Sequence, residues 1–331
     1  MAEPVRLTRS SRIFVAGHRG LVGSAIVRQL EALGCRNVLV RSHQQLDLRE
    51  QGAVDDFFRE SRPEFVFLAA ARVGGILANS TRPAEFLYDN LVIQTNVIHA
   101  AWKHDVKKLL FLGSSCIYPR LAPQPIKEEY LLTGPLETTN EAYAIAKIAG
   151  LKLAAAYRAQ HGFSSISLMP TNLYGPGDNF DLESSHVLPA MIRRFHEAKA
   201  SGARAVTLWG TGTPRREFLH VDDLANAACF LMESYDATEL LNVGVGEDVT
   251  IAELASLVAR IVGYTGRIVF DPSRPDGMPR KLLDVSRIHA LGWHPQIPLE
   301  QGIASTYEWY TAHLSGAVPI TKDTREASHG T

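Results

Sequence analysis

The chain reads as an α/β protein, a doubly wound parallel sheet joined to a smaller C-terminal α/β lobe suited to holding a substrate. Three observations predict this. Apolar runs of strand length alternate with segments of helical period; the first strand runs into a glycine-rich turn; and 331 residues exceed the ~150 that one typical domain occupies. The strand runs are continuously apolar rather than alternating, as expected of parallel strands covered on both faces.

Taken in order, the strand Ile13–Ala16 precedes a helix over Leu21–Leu33, and Val38–Val40 precedes Val54–Phe58. Phe65–Ala71 precedes Phe86–Trp102, Leu109–Leu112 precedes Tyr143–Tyr157, and Ser165–Met169 closes the series. After Gly175 the pattern changes to a Gly- and Pro-punctuated stretch, a helix near His186–Lys199 and an Arg/Pro-rich segment, Ser273–Lys281. Residues 1–175 are therefore expected to form a Rossmann-like nucleotide domain, with 217–240 packing back on it. Residues 176–320 are expected to form the substrate lobe and the polar stretch 321–331 a disordered tail.

Composition narrows the function. Hydrophobic residues make up 46% and charged residues 21%, values of an ordinary globular protein, and the net charge is −1. A near-neutral chain lacks the basic excess that nucleic acid or an anionic membrane calls for. The longest apolar runs fall far short of the ~18 residues that cross a bilayer. Cys35, Cys116 and Cys229 are few, odd in number and far apart, which suits a reducing, cytoplasmic setting. The histidines show no paired-ligand spacing with cysteines, so no metal site is expected.

The turn Gly17-His18-Arg19-Gly20-Leu21-Val22-Gly23 lies between the first strand and the first helix. There, glycines permit a tight turn and close backbone approach to a pyrophosphate seated at the positive helix N-terminus. An NAD site places a carboxylate about 20 residues on, at the tip of the second strand. Here that tip reads Arg41-Ser42-His43. With Arg19 in the turn and Arg41 at the tip, guanidinium groups replace the carboxylate, which favours NADP(H); the competing reading makes both arginines ordinary solvated side chains. Asp47 is placed to meet the adenine amino group.

Tyr143 and Lys147 are four residues apart, on one face of a helix. Tyrosine alone, with a pKa of about 10, is a poor acid–base catalyst near neutrality, and a neighbouring ammonium together with the cofactor's positive nicotinamide ring is expected to bring it toward range. Ser114, past the carboxyl end of the strand Leu109–Leu112, lies where doubly wound sheets bind ligands. Ser, Tyr and Lys would converge on one carbonyl oxygen.

With these residues the turn Gly17–Gly23, Ser114 with Tyr143-xxx-Lys147, and Asn172-Leu173-Tyr174-Gly175-Pro176 resemble the extended short-chain dehydrogenase/reductases of nucleotide sugars. The longer strings Gly113-Ser114-Ser115-Cys116-Ile117-Tyr118-Pro119, Ser185-His186-Val187-Leu188-Pro189 and Pro275-Asp276-Gly277-Met278-Pro279-Arg280-Lys281 are similar to the GDP-L-fucose synthase family, a resemblance running from about Arg12 to Tyr310. That resemblance implies NADPH-dependent conversion of GDP-4-keto-6-deoxy-D-mannose to GDP-L-fucose, and a homodimer. It assigns Cys116 and His186 to proton transfer at carbons 3 and 5. It adds Leu48, Leu112, Gly113, Ser115, Pro170, Thr171, Asn172, Leu173 and His186 to the cofactor contacts. Asn172, Arg194, Trp209, Arg216, Arg267, Asp276 and Lys281 become the contacts to the GDP-sugar, guanidinium groups being suited to a diphosphate.

The chemistry is coherent without the resemblance: a ketone at carbon 4 acidifies both neighbouring carbons, so one oxyanion site serves two epimerisations and a reduction. Taken without it, Cys116 is a small buried hydrophobe and His186 a helix-start residue. Cys35 and Cys229 are expected to be packing residues. Two alternatives stay open here: a nucleotide-sugar 4-epimerase or 4,6-dehydratase of the same superfamily, and a non-catalytic NADP-sensing protein.

Overall fold

The computed structural model describes residues 6–182, 184–274 and 276–314; the expected tail at 321–331 lies outside them. Strand β1 (Arg12–Ala16) leads into helix α1 (Leu21–Ala32), β2 (Asn37–Leu39), α2 (Gln51–Ser61) and β3 (Phe65–Leu68). There follow α3 (Ile76–Thr81), α4 (Pro83–Lys103), β4 (Lys108–Leu112), α5 (Glu141–His161), β5 (Ser165–Pro170) and β6 (Asn172–Tyr174). The second half continues with α6 (Val187–Ser201), β7 (Ala205–Trp209), β8 (Arg215–Arg216), β9 (Phe218–His220), α7 (Val221–Ser234) and β10 (Leu241–Val243). It closes with β11 (Val249–Thr250), α8 (Ile251–Val262), β12 (Arg267–Asp271), β13 (Arg280–Lys281), α9 (Ser286–Ala290) and α10 (Leu299–Leu314).

Six parallel strands form the main sheet in the order β10-β5-β4-β3-β1-β2. The chain leaves β1 toward β2 and returns on its other side as β3, so the strand order reverses between β1 and β3. Right-handed crossovers in opposite directions put their helices on opposite faces: α1 packs against α7, and α4 packs between α2 and α5. β3 and β4 are buried at every position, which is why their sequences carry no alternation. The third strand ends at Leu68, three residues short of the apolar run, because Ala70 turns in against Gly17: a Cβ on Gly17 would lie 2.7 Å from the Ala70 nitrogen.

A second buried cluster joins α6, α8 and α10 through residues such as Phe195, Val258 and Ile303. The two-stranded pair β7–β12 and the small sheet β11-β8-β13 adjoin it. Helix α8 has the sequence features of a well-capped element: Thr250 and Glu253 form a reciprocal capping box, and Gly263 closes the other end at φ +77°. Segment 217–240 supplies α7, which packs on α1, and β10 extends the main sheet beside β5. At the start of β4 a fully buried lysine, Lys108, donates to the carbonyls of Met232 (2.6 Å) and Tyr235 (2.5 Å) and so satisfies the C-terminal end of α7.

Candidate active site

The glycine turn is built by steric exclusion. Gly17 adopts φ +84°, and a Cβ on Gly23 would come within 2.1 Å of the Gly17 carbonyl oxygen, so the first turn of α1 lies against the end of β1. Gly20 caps α1 without any side-chain hydrogen bond, leaving the amides of that turn for an anion. His18 lies close to the Arg41 backbone, so the tip of β2 is beside the turn. Arg41 lies 5.1 Å over the Phe57 ring and donates to the Val40 carbonyl at 2.8 Å; Arg19 is exposed. A dinucleotide pyrophosphate suits the free amides of this turn, whose tight path the glycines allow: a Cβ at position 17 would strike the Ala70 backbone and one at position 23 the Gly17 backbone. Asp47 is less open than expected: its carboxylate is held bidentately by Arg49, at 2.9 Å and 3.1 Å, which keeps its acidity strong. The Leu48 carbonyl accepts from Asn96 at 3.0 Å.

Beyond β4, Gly113 is required by Met169, whose sulfur would lie 2.3 Å from a Cβ there. Ser114 caps the short turn Ser115–Ile117 by accepting weakly from the Cys116 amide at 3.4 Å, so Ser114 and Cys116 lie side by side while Ser115 and Cys116 are buried. Lys147, buried on α5, donates to the Leu112 carbonyl at 2.8 Å, and its nitrogen is 5.8 Å from the Tyr143 ring centre. Burial brings Lys147 down to about 8. Burial also pushes the Tyr143 phenol up, with Cys116 adding to the effect. Desolvation dominates the phenol here, and the Lys147 ammonium is directed at the Leu112 carbonyl.

Cys116 is likewise raised by burial, against the opposing charges of Lys281 and Lys147 and the hydrogen bond from Ser114. His186 begins α6, its backbone capping the helix. The residue is exposed overall, and burial of its ring, followed by the Lys281 charge, lowers its proton affinity. Lys281 is thus the common neighbour of the two expected proton carriers. The loop before His186 is tied down by the Ser184 amide donating to Asp181 at 3.0 Å and by the Gly75 amide donating to the Ser184 carbonyl at 3.0 Å.

From the end of β5, Pro170 pairs with Val243, and the Thr171 amide donates to the Val243 carbonyl at 3.0 Å. Asn172 donates to the Glu217 carbonyl at 2.8 Å, and Leu173 pairs with Leu219 in the β6–β9 ladder. Arg216 stands in register with Lys281 across β8 and β13 and near Asp276, while Asp276 accepts from the Thr211 amide at 2.7 Å and hydroxyl at 2.8 Å. Trp209 ends β7 with 61% of its surface exposed. Arg194 is half-buried on α6 with no hydrogen bond or ion pair among the described residues. Arg267 does not join this group. It pairs with Ala205 at the far end of the strand pair on which Trp209 faces Asp271, about 13 Å of strand away.

Two residues passed over in the sequence stand out. Arg274 stacks 5.2 Å over the Trp209 ring, and Glu217, wholly buried, binds three backbone amides. The Arg/Pro-rich run was a signal for the first; the second had none, since its partners lie 28 to 66 positions away. No group of three or more His, Cys, Asp or Glu able to hold a metal occurs among the described residues.

The sequence profile of the NAD dependent epimerase/dehydratase family matches residues 13–244. A probable GDP-L-fucose synthase 1 of Oryza sativa subsp. japonica is 62% identical over 310 residues, 93% of this chain and 94% of the relative. The GDP-L-fucose synthase of Escherichia coli (strain K12) is 58% identical over 308 residues, 90% of this chain and 96% of the relative. The chain belongs to this epimerase/dehydratase family, on its GDP-L-fucose synthase branch. Among solved structures, a GDP-L-fucose synthetase from Naegleria fowleri bound to NADP superposes with a TM-score of 0.87 at 29% identity, covering 95% of this chain and 98% of that one. In the structure the glycine turn follows β1, Ser114 follows β4 and Lys147 binds the carbonyl that ends β4, so these groups gather at the carboxyl ends of main-sheet strands.

Proposed function

We propose that the chain catalyses the NADPH-dependent conversion of GDP-4-keto-6-deoxy-D-mannose to GDP-L-fucose, epimerising carbons 3 and 5 and then reducing carbon 4. One observation supports the reading beyond a simple reductase: Cys116 adjoins Ser114 and shares the neighbour Lys281 with His186, which would put two proton carriers beside the carbonyl-binding group.

Ser114 and Tyr143 would hold the carbon-4 oxygen. During each epimerisation one of the Cys116–His186 pair removes the proton from the carbon beside the ketone, and the electron pair moves onto that oxygen. The other member returns a proton to the opposite face, which inverts the carbon and restores the ketone. The directions of the two shifts leave Cys116 a thiol and His186 a neutral imidazole, one donor and one acceptor between them. When bound, NADPH supplies the hydride that goes to carbon 4. Tyr143 then gives its proton to the oxygen, and its raised affinity keeps that proton in place until the charge develops. The amides of Gly17–Gly23 would hold the pyrophosphate, Arg19 and Arg41 the 2′-phosphate, and Lys147 the nicotinamide ribose. Arg194, Arg216 and Lys281 would meet the diphosphate of the sugar nucleotide, with Trp209 at its side. A 4,6-dehydratase needs an acidic pair after the serine; Ser115 and Cys116 stand there instead.

The proposal extends to the assembly and setting: a nucleotide domain over 1–175, a substrate lobe over 176–320, and a cytoplasmic homodimer. Three free, buried thiols support the reducing setting. Exposed Tyr88 on α4 and Ile145 on α5, two helices packed side by side, support a face for a second copy. Incubation of the purified protein with GDP-4-keto-6-deoxy-D-mannose and NADPH, with NMR identification of the sugar, tests the activity; GDP-fucose is expected, and any other 6-deoxy sugar overturns it.

A further inference from the structure

Glu217 has no place in the reaction just described, yet its carboxylate is wholly buried. Burying a carboxylate is costly unless it is richly hydrogen-bonded, and this one is. Oε1 accepts from the amides of Val245 at 2.6 Å and Gly246 at 2.8 Å, and Oε2 accepts from the amide of Leu283 at 3.0 Å. Those amides belong to two separate segments, the loop after β10 and the residues just past β13. The space is cut to the carboxylate: a Cβ on Gly244 would lie 2.2 Å from Oε1. Glu217 directly follows Arg216, and Leu283 is two residues past Lys281, the partner of Arg216 in the β8–β13 register.

We propose that Glu217 is a positioning residue for the diphosphate of the sugar nucleotide: its carboxylate clamps the β13 segment to the β8 segment, so that Lys281 and Arg216 point at one ligand. This rests on the function proposed above. Thr171 and Asn172, on the cofactor side, bind the backbone carbonyl of Glu217 at 3.3 Å and 2.8 Å, contacts that a side-chain substitution leaves in place, while the Thr171 hydroxyl also acts on the carboxylate.

Glu217→Gln keeps the shape but turns an amide donor toward backbone donors, and Gly244→Ala displaces the carboxylate without changing it. Both variants are expected to raise KM for GDP-4-keto-6-deoxy-D-mannose and the dissociation constant of GDP by roughly tenfold or more, with kcat little changed. NADPH affinity should stay within about twofold of the parent. Hydrogen exchange of the unliganded variants should quicken at Val245, Gly246 and Leu283. Unchanged GDP binding, a loss of NADPH affinity equal to that of GDP, or failure of both variants to fold would overturn the proposal. A parent that binds GDP but converts none of the 4-keto sugar overturns the proposed function alone, and the clamp is then judged by GDP binding and exchange.

Discussion

The Lys147 ammonium lies 2.8 Å from the Leu112 carbonyl oxygen and thereby ties the helix that carries Tyr143 to the end of β4, the strand that delivers Ser114. The lysine is thus an anchor as well as a charge. Tyr143→Phe is expected to slow carbonyl reduction by roughly 10²–10⁴ with the thermal midpoint unchanged, because only the proton donor is lost. Lys147→Ala should cost reduction and also lower stability by about 1–3 kcal/mol, since it leaves a buried carbonyl unpaired. Stopped-flow reduction and calorimetric melting separate the two; wild-type reduction by Tyr143→Phe would make the pair structural.

The parts that could be read in the sequence are those in which chemistry is local. The glycine turn, the Tyr143–Lys147 spacing and Ser114 after a strand each occupy a few positions, and the apolar periods that place them are governed by burial. The apolar run outlasts strand β3 because Ala69 and Ala70 pack closely on Gly17. Glu217 and Arg274 were missed because their contacts join segments distant in sequence. Arg267 was carried over by resemblance, and only strand register shows it at the opposite end from Trp209.

Cofactor choice rests on Arg19 and Arg41. Each charged contact to a 2′-phosphate is worth on the order of 1.5–3 kcal/mol, so Arg19→Ala or Arg41→Ala should reduce the preference for NADPH over NADH by more than about tenfold. Arg41→Ala also removes a cation from the Phe57 ring and should show a small loss of stability, which Arg19→Ala, at an exposed position, should not. Equal binding of both cofactors by the parent would refute the assignment.

The pH profile of epimerisation should reflect His186. Its proton affinity is lowered by burial and by Lys281, so the neutral form needed to accept a proton persists below the ordinary histidine range, and the acid limb should fall below pH 6.5. Lys281→Met removes the repelling charge and should move that limb upward. Solvent deuterium incorporation measured against pH reads it directly; a limb above pH 6.5 in the parent contradicts the arrangement.

Lys108 gives a stability prediction away from the site. Burial brings it down to about 8 from 10.5. Between those values the unfolded chain binds more protons than the folded one, so the residue's contribution to stability rises with pH across that window. The gain should approach about 3 kcal/mol by pH 10.5. Urea unfolding of the parent and of Lys108→Met should therefore diverge in the parent's favour as pH is raised; a constant difference would mean that the folded lysine stays charged across the window, as it does unfolded.

Cys116 and His186 separate a bifunctional enzyme from a simple reductase. Cys116→Ser keeps the size of the side chain and the neighbourhood of Ser114 but replaces a thiol with a much weaker acid. Exchange of the hydrogens on carbons 3 and 5 with solvent deuterium should slow by roughly 10²–10⁴, the range of general acid–base catalysis, while hydride transfer to carbon 4 falls far less. Reduction would then overtake epimerisation. A ketone reduced before both inversions gives GDP-rhamnose or a 6-deoxy-talose sugar, so the product should shift as well as the rate. His186→Gln removes the proton carrier at the start of α6 and should impair exchange or change its stereochemistry, with NADPH binding retained through the glycine turn. NMR of the product formed in deuterium oxide reads position, face and extent of exchange together. Full exchange and pure GDP-fucose from both variants would take Cys116 and His186 out of the mechanism and leave the Ser114–Tyr143–Lys147 reductase standing alone.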